Sequence, residues 1–227
     1  MFKVKIPGWQ FDELRDPSFR LDEERHEYWL QGGIIRGYSG IVRDVNWASP
    51  DDLRFYTEDG RYRGTYVHWC TRLDDEGDLN DADVDYEYFG YLAAYRQFKI
   101  DWQFVPRLIE LPMYHRHLRH GITPDREGLI FGKYPAIVEL KTGELTWLTK
   151  YQTAAQDLSI QSWEEKPTYR RRIGVKLNAD GTYLPKEYKD PLDYERWKCA
   201  VVTAQANESK NVIKKLHNIA LDITPSI

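Results

Sequence analysis

Three side chains in residues 121–156 have types and spacing that suit chemistry: Asp125, Glu139 and Lys141. The run Ala136-Ile137-Val138-Glu139-Leu140-Lys141 has the β-branched, apolar content and the length of a buried strand, and it stops at the turn pair Thr142-Gly143. Side chains alternate along a strand, so Glu139 and Lys141 share one face while Val138 and Leu140 point the other way. Desolvating an ion is costly unless it is paired or bound to a metal. Glu139 and Lys141 therefore either pair with each other or serve a cation together with a third group. Asp125 is the candidate third group. Residues 118–125 read as a strand ending at Asp125, Arg126-Glu127-Gly128 as a turn, and Leu129-Ile130-Phe131 as the start of the return toward Glu139. Two carboxylates brought together this way are hard oxygen ligands suited to Mg²⁺, with Mn²⁺ able to substitute.

Pro124-Asp125, followed fourteen positions later by Glu139-Leu140-Lys141 and then Thr142-Gly143, resembles the PD-(D/E)XK nuclease signature. The resemblance extends through residues 20–31, 64–68 and 90–98, Glu110 and Gln152, and is strongest to the phage lambda-exonuclease-type and RecB-type branch. It covers most of the chain, from about residue 19 to about residue 197. It implies an α/β fold with a restriction-endonuclease-like core: a central mixed β-sheet flanked by helices, with an N-terminal β-hairpin extension. It also implies a phage or prophage enzyme, a Mg²⁺-dependent exonuclease that hydrolyses the phosphodiester bonds of linear DNA in recombination or DNA processing. The alternatives are an endonuclease on the same site, or a non-catalytic DNA-binding or assembly protein with a vestigial site.

By the same resemblance, Asp125, Glu139 and the Leu140 carbonyl are metal ligands, and Lys141 orients the attacking water and offsets phosphate charge. His68, in a segment similar to the family's G-x-x-x-H, approaches the metal, and Glu110 is an accessory ligand. Gln152 matches the Q of a Q-x-x-x-Y motif and has a positioning role, although Gln156 stands where tyrosine is common. The implied partners are double-stranded DNA ends, a single-strand annealing protein and further copies of the chain. Some RecB-type relatives hold an iron–sulfur cluster on four cysteines; this chain has two, so no cluster is expected.

Composition sets the frame for these residues. A chain of 227 residues with 41% hydrophobic and 30% charged content is long enough for one large domain with its own core. The expected plan is a hairpin extension over 1–45, a catalytic core over 60–178 and C-terminal helices over 190–217. Met1-Phe2-Lys3-Val4-Lys5-Ile6-Pro7-Gly8 lacks the apolar core of a signal peptide, no run is long enough to span a membrane, and Cys70 and Cys199 are solitary, which together point to a reducing cytoplasm. It would be a bacterial host's cytoplasm if the chain is phage-encoded. The net charge of −4 disfavours a protein that coats nucleic acid, since nonspecific affinity comes from Lys and Arg neutralising phosphates. A nuclease needs only a local basic lining.

Several elements must position the site. Residues 19–41 read as a hairpin through His26-Glu27-Tyr28-Trp29-Leu30 and a Gly32-Gly33 turn, then a helix led by Ser39, with His26 structural. A helix is expected from Gly64 to about Leu73. The seven acids between Asp74 and Asp85 read as a solvated loop. The stripe Val84, Tyr88, Tyr91, Leu92, Tyr95, Phe98 has helical spacing and reads as core rather than a base-stacking platform. A strand over 105–113 carries Glu110, and a helix runs from Trp147 to about Ile160. His115, His117 and His120 invite a zinc site but lack an evident fourth ligand, and Arg116 and Arg119, near a hairpin tip, are better placed for phosphate. Arg170, Arg171 and Arg172 either face DNA or form a solvated edge that blocks sheet-to-sheet pairing. Asp190-Pro191 starts a closing helix through Trp197, Val201 and Ala204, and a second short helix over 212–216 follows Asn207.

Overall fold

The computed structural model describes residues 16–48 and 57–222, with side chains as far as Lys210. The reading of residues 1–8 therefore lies outside the described residues. In chain order the elements are β1 (Phe19–Asp22), β2 (Glu27–Leu30), β3 (Gly33–Ile35), α1 (Tyr38–Asp44), α2 (Glu58–Glu76) and α3 (Phe89–Asp101). There follow β4 (Val105–Ile109), β5 (Met113–Tyr114), β6 (Gly121–Ile122), β7 (Arg126–Ile130), β8 (Tyr134–Lys141), α4 (Thr149–Gln161), β9 (Arg171–Leu177), β10 (Tyr183–Tyr188) and α5 (Leu192–Asp222).

The expected architecture is present: a central mixed sheet flanked by helices, preceded by an antiparallel N-terminal sheet. The five-stranded sheet has the order β10-β9-β8-β7-β4, with β8 and β9 parallel and every other pair antiparallel. Parallel neighbours need a long connection, and α4 supplies it between β8 and β9. The central position of β8 explains its near-continuous apolar run, because both faces are covered. Ala136, Val138 and Leu140 pack with Val67 of α2 and with Tyr95 and Phe98 of α3. Ile137, on the other face, packs with Ala154, Ala155 and Leu158 of α4 and Trp197 of α5. The stripe of Tyr88, Leu92, Tyr95 and Phe98 is core, as its spacing required.

Local chemistry sets the ends of the elements that reach the site. At the start of α2 the Thr57 side chain accepts from the Gly60 amide at 3.0 Å, Glu58 and Asp59 complement the helix dipole, and Gly77, at φ 77°, stops the helix. The N-terminal sheet anchors the segment before Asp125. Tyr28 lies so close over Gly121 that a Cβ there would come within 2.1 Å of its ring, and its hydroxyl is 3.0 Å from Thr123 Oγ1.

Several boundaries differ from the sequence expectation, each for a physical reason. Residues 118–125 are mostly loop: only Gly121–Ile122 pairs, with Met113–Tyr114, and Pro124 has no amide to donate to a ladder. Arg126-Glu127-Gly128 is strand rather than turn. The turn falls at Phe131 and Gly132, both at positive φ. Glu110 is not on a strand either: β4 stops at Ile109, and Glu110 takes φ 43°. The expected hairpin is β2–β3, turning at Gln31 and Gly32, with β1 paired to the other edge of β2, and Gly37 rather than Ser39 caps α1. Helix α2 extends at both ends past the expected 64–73. Asp74 and Asp75 therefore lie on its last turns, ion-paired to Arg96, Lys99 and Arg126, instead of in a solvated loop. Helix α5 runs unbroken to Asp222, so no separate helix follows Asn207.

The triple arginine is neither a DNA-facing patch nor an edge, because β9 lies inside the sheet. Arg170 is buried among Glu127, Asp157 and Glu164, and Arg172 is buried against Asp193. Arg171 is half-buried and holds Glu187 at 2.6 Å. Among the described residues no helix is long and apolar enough to cross a membrane.

Candidate active site

The site forms where the first residue of β7 and the last residues of β8 lie side by side. Arg126 pairs with Val138 in the antiparallel register, which brings the preceding Asp125 alongside Glu139 and Leu140. The Leu140 amide donates to Asp125 Oδ2 at 2.8 Å. Glu139 is 1% exposed, and both its oxygens are engaged: Lys141 Nζ donates to Oε1 at 2.5 Å and Gln156 Nε2 to Oε2 at 2.6 Å. From α2, His68 places Nδ1 at 3.2 Å from Glu110 Oε1. Its Nε2 lies 3.3 Å from the Leu140 carbonyl and 3.8 Å from Asp125 Oδ2. Glu110 donates its amide to the Asp125 carbonyl at 3.0 Å. A non-glycine residue at φ 43° costs on the order of 1–3 kcal/mol and persists only where its surroundings fix it.

Asp125, Glu139, Leu140, Lys141, His68 and Glu110 are thus brought together from four separate stretches of chain. Gln152 is half-buried on α4, and it is Gln156, one turn further along, that reaches Glu139.

Burial pushes the Asp125 carboxyl up and the nearby Glu139 charge pushes it further, to about 7, with His68 and Lys141 opposing. Burial pulls the His68 imidazole down, but the Asp125 and Glu110 carboxylates outweigh it and raise the group to about 9. Burial raises Glu110, while His68 and Arg126 hold it below the ordinary carboxylate value. The site thus favours the protonated forms of His68 and Asp125 and the charged form of Glu110.

Among the described residues no three His, Cys, Asp or Glu side chains are disposed to hold a metal ion in their present positions, where they bond to one another. The donor chemistry nonetheless fits a hard divalent cation, since two carboxylates and a main-chain carbonyl offer oxygen only. The specific observation is geometric: the buried carboxyls of Asp125 and Glu139 lie beside each other next to the Leu140 main chain, where a cation would offset both the burial and the like charge that raise Asp125.

The other expected residues fall elsewhere. Arg116 and Arg119 are exposed in the turn between β5 and β6, Arg116 lying 5.1 Å over the Trp163 ring and Arg119 donating to Gln31 at 3.2 Å. His115 and His120 are packing groups: burial lowers them to about 4 and about 3, and His120 Nε2 accepts from Trp197 Nε1 at 3.3 Å. Sequence reasoning missed Gln156 as a partner of Glu139, and missed Arg126, whose guanidinium contacts both Asp125 and Glu110. The one sequence signal for Gln156 was its place in the motif where a tyrosine is common.

No protein-family model matches the chain, and no curated protein matches it. Among solved structures it is similar to an alkaline exonuclease, LHK-Exo, from Laribacter hongkongensis, at 16% identity and a TM-score of 0.41, over 82% of this chain and 93% of that one. It is similar to LHK-Exo in complex with dAMP at 17% identity and a TM-score of 0.40, over 83% of this chain and 95% of that one. A likeness of that size leaves the chemistry to the geometry described above.

Proposed function

We propose that this chain is a divalent-metal-dependent deoxyribonuclease that degrades linear DNA from an end. The observation that carries the reading is the convergence of Asp125, Glu139 and Lys141, with two buried carboxyls side by side and an ammonium 2.5 Å from Glu139. Enzymes acting on slow phosphodiester hydrolysis must remove on the order of 20 kcal/mol from the barrier. One acid–base pair supplies only about 10²–10⁴-fold, so a further source of positive charge is required. Asp125, Glu139 and the Leu140 carbonyl would hold Mg²⁺ or Mn²⁺, with His68 and Glu110 beside them, and the ion would supply a bound water of lowered pKa and positive charge at the phosphate.

The chain's own residues do the rest. Lys141 orients the attacking water and offsets charge developing on the phosphate. Gln156 fixes the Glu139 carboxylate, and Gln152 lies one turn away to contact the substrate backbone. Arg116 and Arg119, both exposed, take more distant phosphates. The flanks that resemble the lambda-exonuclease-type branch support double-stranded ends as substrate, in phage recombination or DNA processing within a bacterial cytoplasm. A single-strand annealing protein and a homo-oligomer are the assemblies that fit such a task.

The test is release of acid-soluble nucleotides. Linear duplex is degraded in Mg²⁺ and spared in EDTA, closed circles resist, and Lys141→Ala lowers release by about 10²–10³-fold while DNA binding persists. Cleavage of closed circles at the same rate, or release that survives EDTA, contradicts the reading.

A further inference from the structure

Arg126 is 0% exposed and uses its guanidinium in four directions. Nε donates to Asp75 Oδ2 at 2.6 Å, and Nη2 to Thr71 Oγ1 at 3.1 Å. Nη1 donates to the Asp125 carbonyl at 2.6 Å and lies 3.3 Å from Glu110 Oε1. Two of these contacts hold α2, the helix that carries His68, and the other two hold the acids of the candidate site. Asp75 is fixed in turn: Tyr95 donates to Oδ2 at 2.6 Å and Lys99 to Oδ1 at 2.8 Å. Asp75 and Lys99 also line a surface cavity of about 540 Å³, so this chain of bonds runs from the surface to the site.

Fold stability does not require such an arrangement, because well-packed apolar groups replace a buried ion pair at little or no loss. Its geometry does suit positioning. Glu110 holds a strained backbone conformation on the Asp125 carbonyl, and Arg126 bonds both that carbonyl and the Glu110 carboxylate. Only a planar fork of donors reaches acceptors on a helix and on two further segments of chain at once, which a lysine ammonium does not.

We propose that Arg126, seated on Asp75, is a positioning residue that presets Asp125, Glu110 and His68 for the divalent cation. The proposal rests on the metal-dependent reading above. It is tested on the full chain by titrating Mn²⁺ calorimetrically without DNA, alongside metal-free thermal unfolding and the Mg²⁺ concentration for half-maximal nucleotide release. Arg126→Lys and Asp75→Asn weaken Mn²⁺ binding by about 10-fold or more, as loss of an outer partner of a metal ligand does, and raise the half-saturating Mg²⁺ by the same factor. KM for DNA at saturating Mg²⁺ is unchanged. Tyr95→Phe, which removes one of the two outer holds on Asp75, gives a smaller shift in the same direction and decides the matter if the other two fail to fold.

Asp193→Asn is the control. It breaks the buried pair between Asp193 of α5 and Arg172 of β9 and lowers the unfolding temperature while Mn²⁺ affinity stays at the wild-type value. Folded Arg126 and Asp75 variants, or Tyr95→Phe, with wild-type Mn²⁺ affinity overturn the proposal, as does an equal loss in Asp193→Asn. A wild-type chain that binds no Mn²⁺ overturns both the proposal and the metal-dependent reading. One that binds Mn²⁺ with the expected variant losses but releases no nucleotides overturns the nuclease reading alone.

Discussion

Two groups of buried acids flank the same sheet and are treated in opposite ways. Around Arg170, every acid faces a donor: Glu127 receives Arg170 Nε at 3.0 Å as well as Arg107, and Asp157 receives Tyr194 at 2.7 Å and Gln161 at 2.8 Å. Burial raises Asp157, and Tyr194 and Arg170 work against the rise. At the site, burial raises Asp125 and another acid, Glu139, adds to the rise. The first group ties β4, β7, β9, α4 and α5 together with its charges answered locally. The second also gives its acids donors, from the Leu140 amide, Lys141, Gln156, His68 and Arg126, but it sets two carboxylates, Asp125 and Glu139, beside each other at the end of β8, the kind of arrangement found at functional sites.

The largest effects separate the two groups most sharply. Arg170→Met leaves three acids short of their shared cation and lowers stability by about 3–5 kcal/mol, read from denaturant unfolding. A loss below about 1 kcal/mol would mean that the first group is not structural. Lys141→Ala removes the ammonium from the second group and lowers kcat of the folded protein by about 10²–10³-fold, read from nucleotide release.

A pH series sharpens the contrast further. Asp125 is raised from its ordinary 3.8 to about 7 and His68 from 6.5 to about 9, so both hold more protons folded than unfolded. Their contribution to metal-free stability is complete below the ordinary values and is lost as pH rises, between about 4 and 7 for Asp125 and between about 6.5 and 9 for His68. Asp125→Asn removes the lower-pH part of that loss and, because the Asp125 charge helps to hold His68 up, shrinks the upper part as well. Equal pH profiles for variant and wild type in chemical unfolding would contradict it. The smallest effect concerns Glu139's neighbour: Gln156→Ala lowers kcat by about 10-fold, as loss of a ligand's outer hydrogen bond does, and Gln152→Ala lowers it less. The reverse order would make Gln152 the residue that matters.

Much of the site was legible because β8 is a central strand with charge on one face. Its alternation placed Glu139 with Lys141 before any coordinates, and the motif supplied Asp125. What the sequence hid follows from the same burial. β7 is covered on both faces, so Arg126 and Glu127 show no alternation and look like a turn, and Arg170 looks like a surface charge because its three carboxylate partners are 6, 13 and 43 residues away. Glu110 looked like a strand residue because φ 43° is imposed by Arg126 and Asp125, groups distant along the chain. Gln156 looked like a departure from a motif until Glu139 was seen to accept its amide.

The most direct measurement is anomalous diffraction from crystals of the full chain soaked in Mn²⁺. One strong peak within ligand distance of Asp125, Glu139 and the Leu140 carbonyl, absent from Asp125→Asn crystals, is the expected result. A peak elsewhere with these oxygens still bonded to His68, Lys141 and Gln156, or none at all at saturating Mn²⁺, contradicts the account.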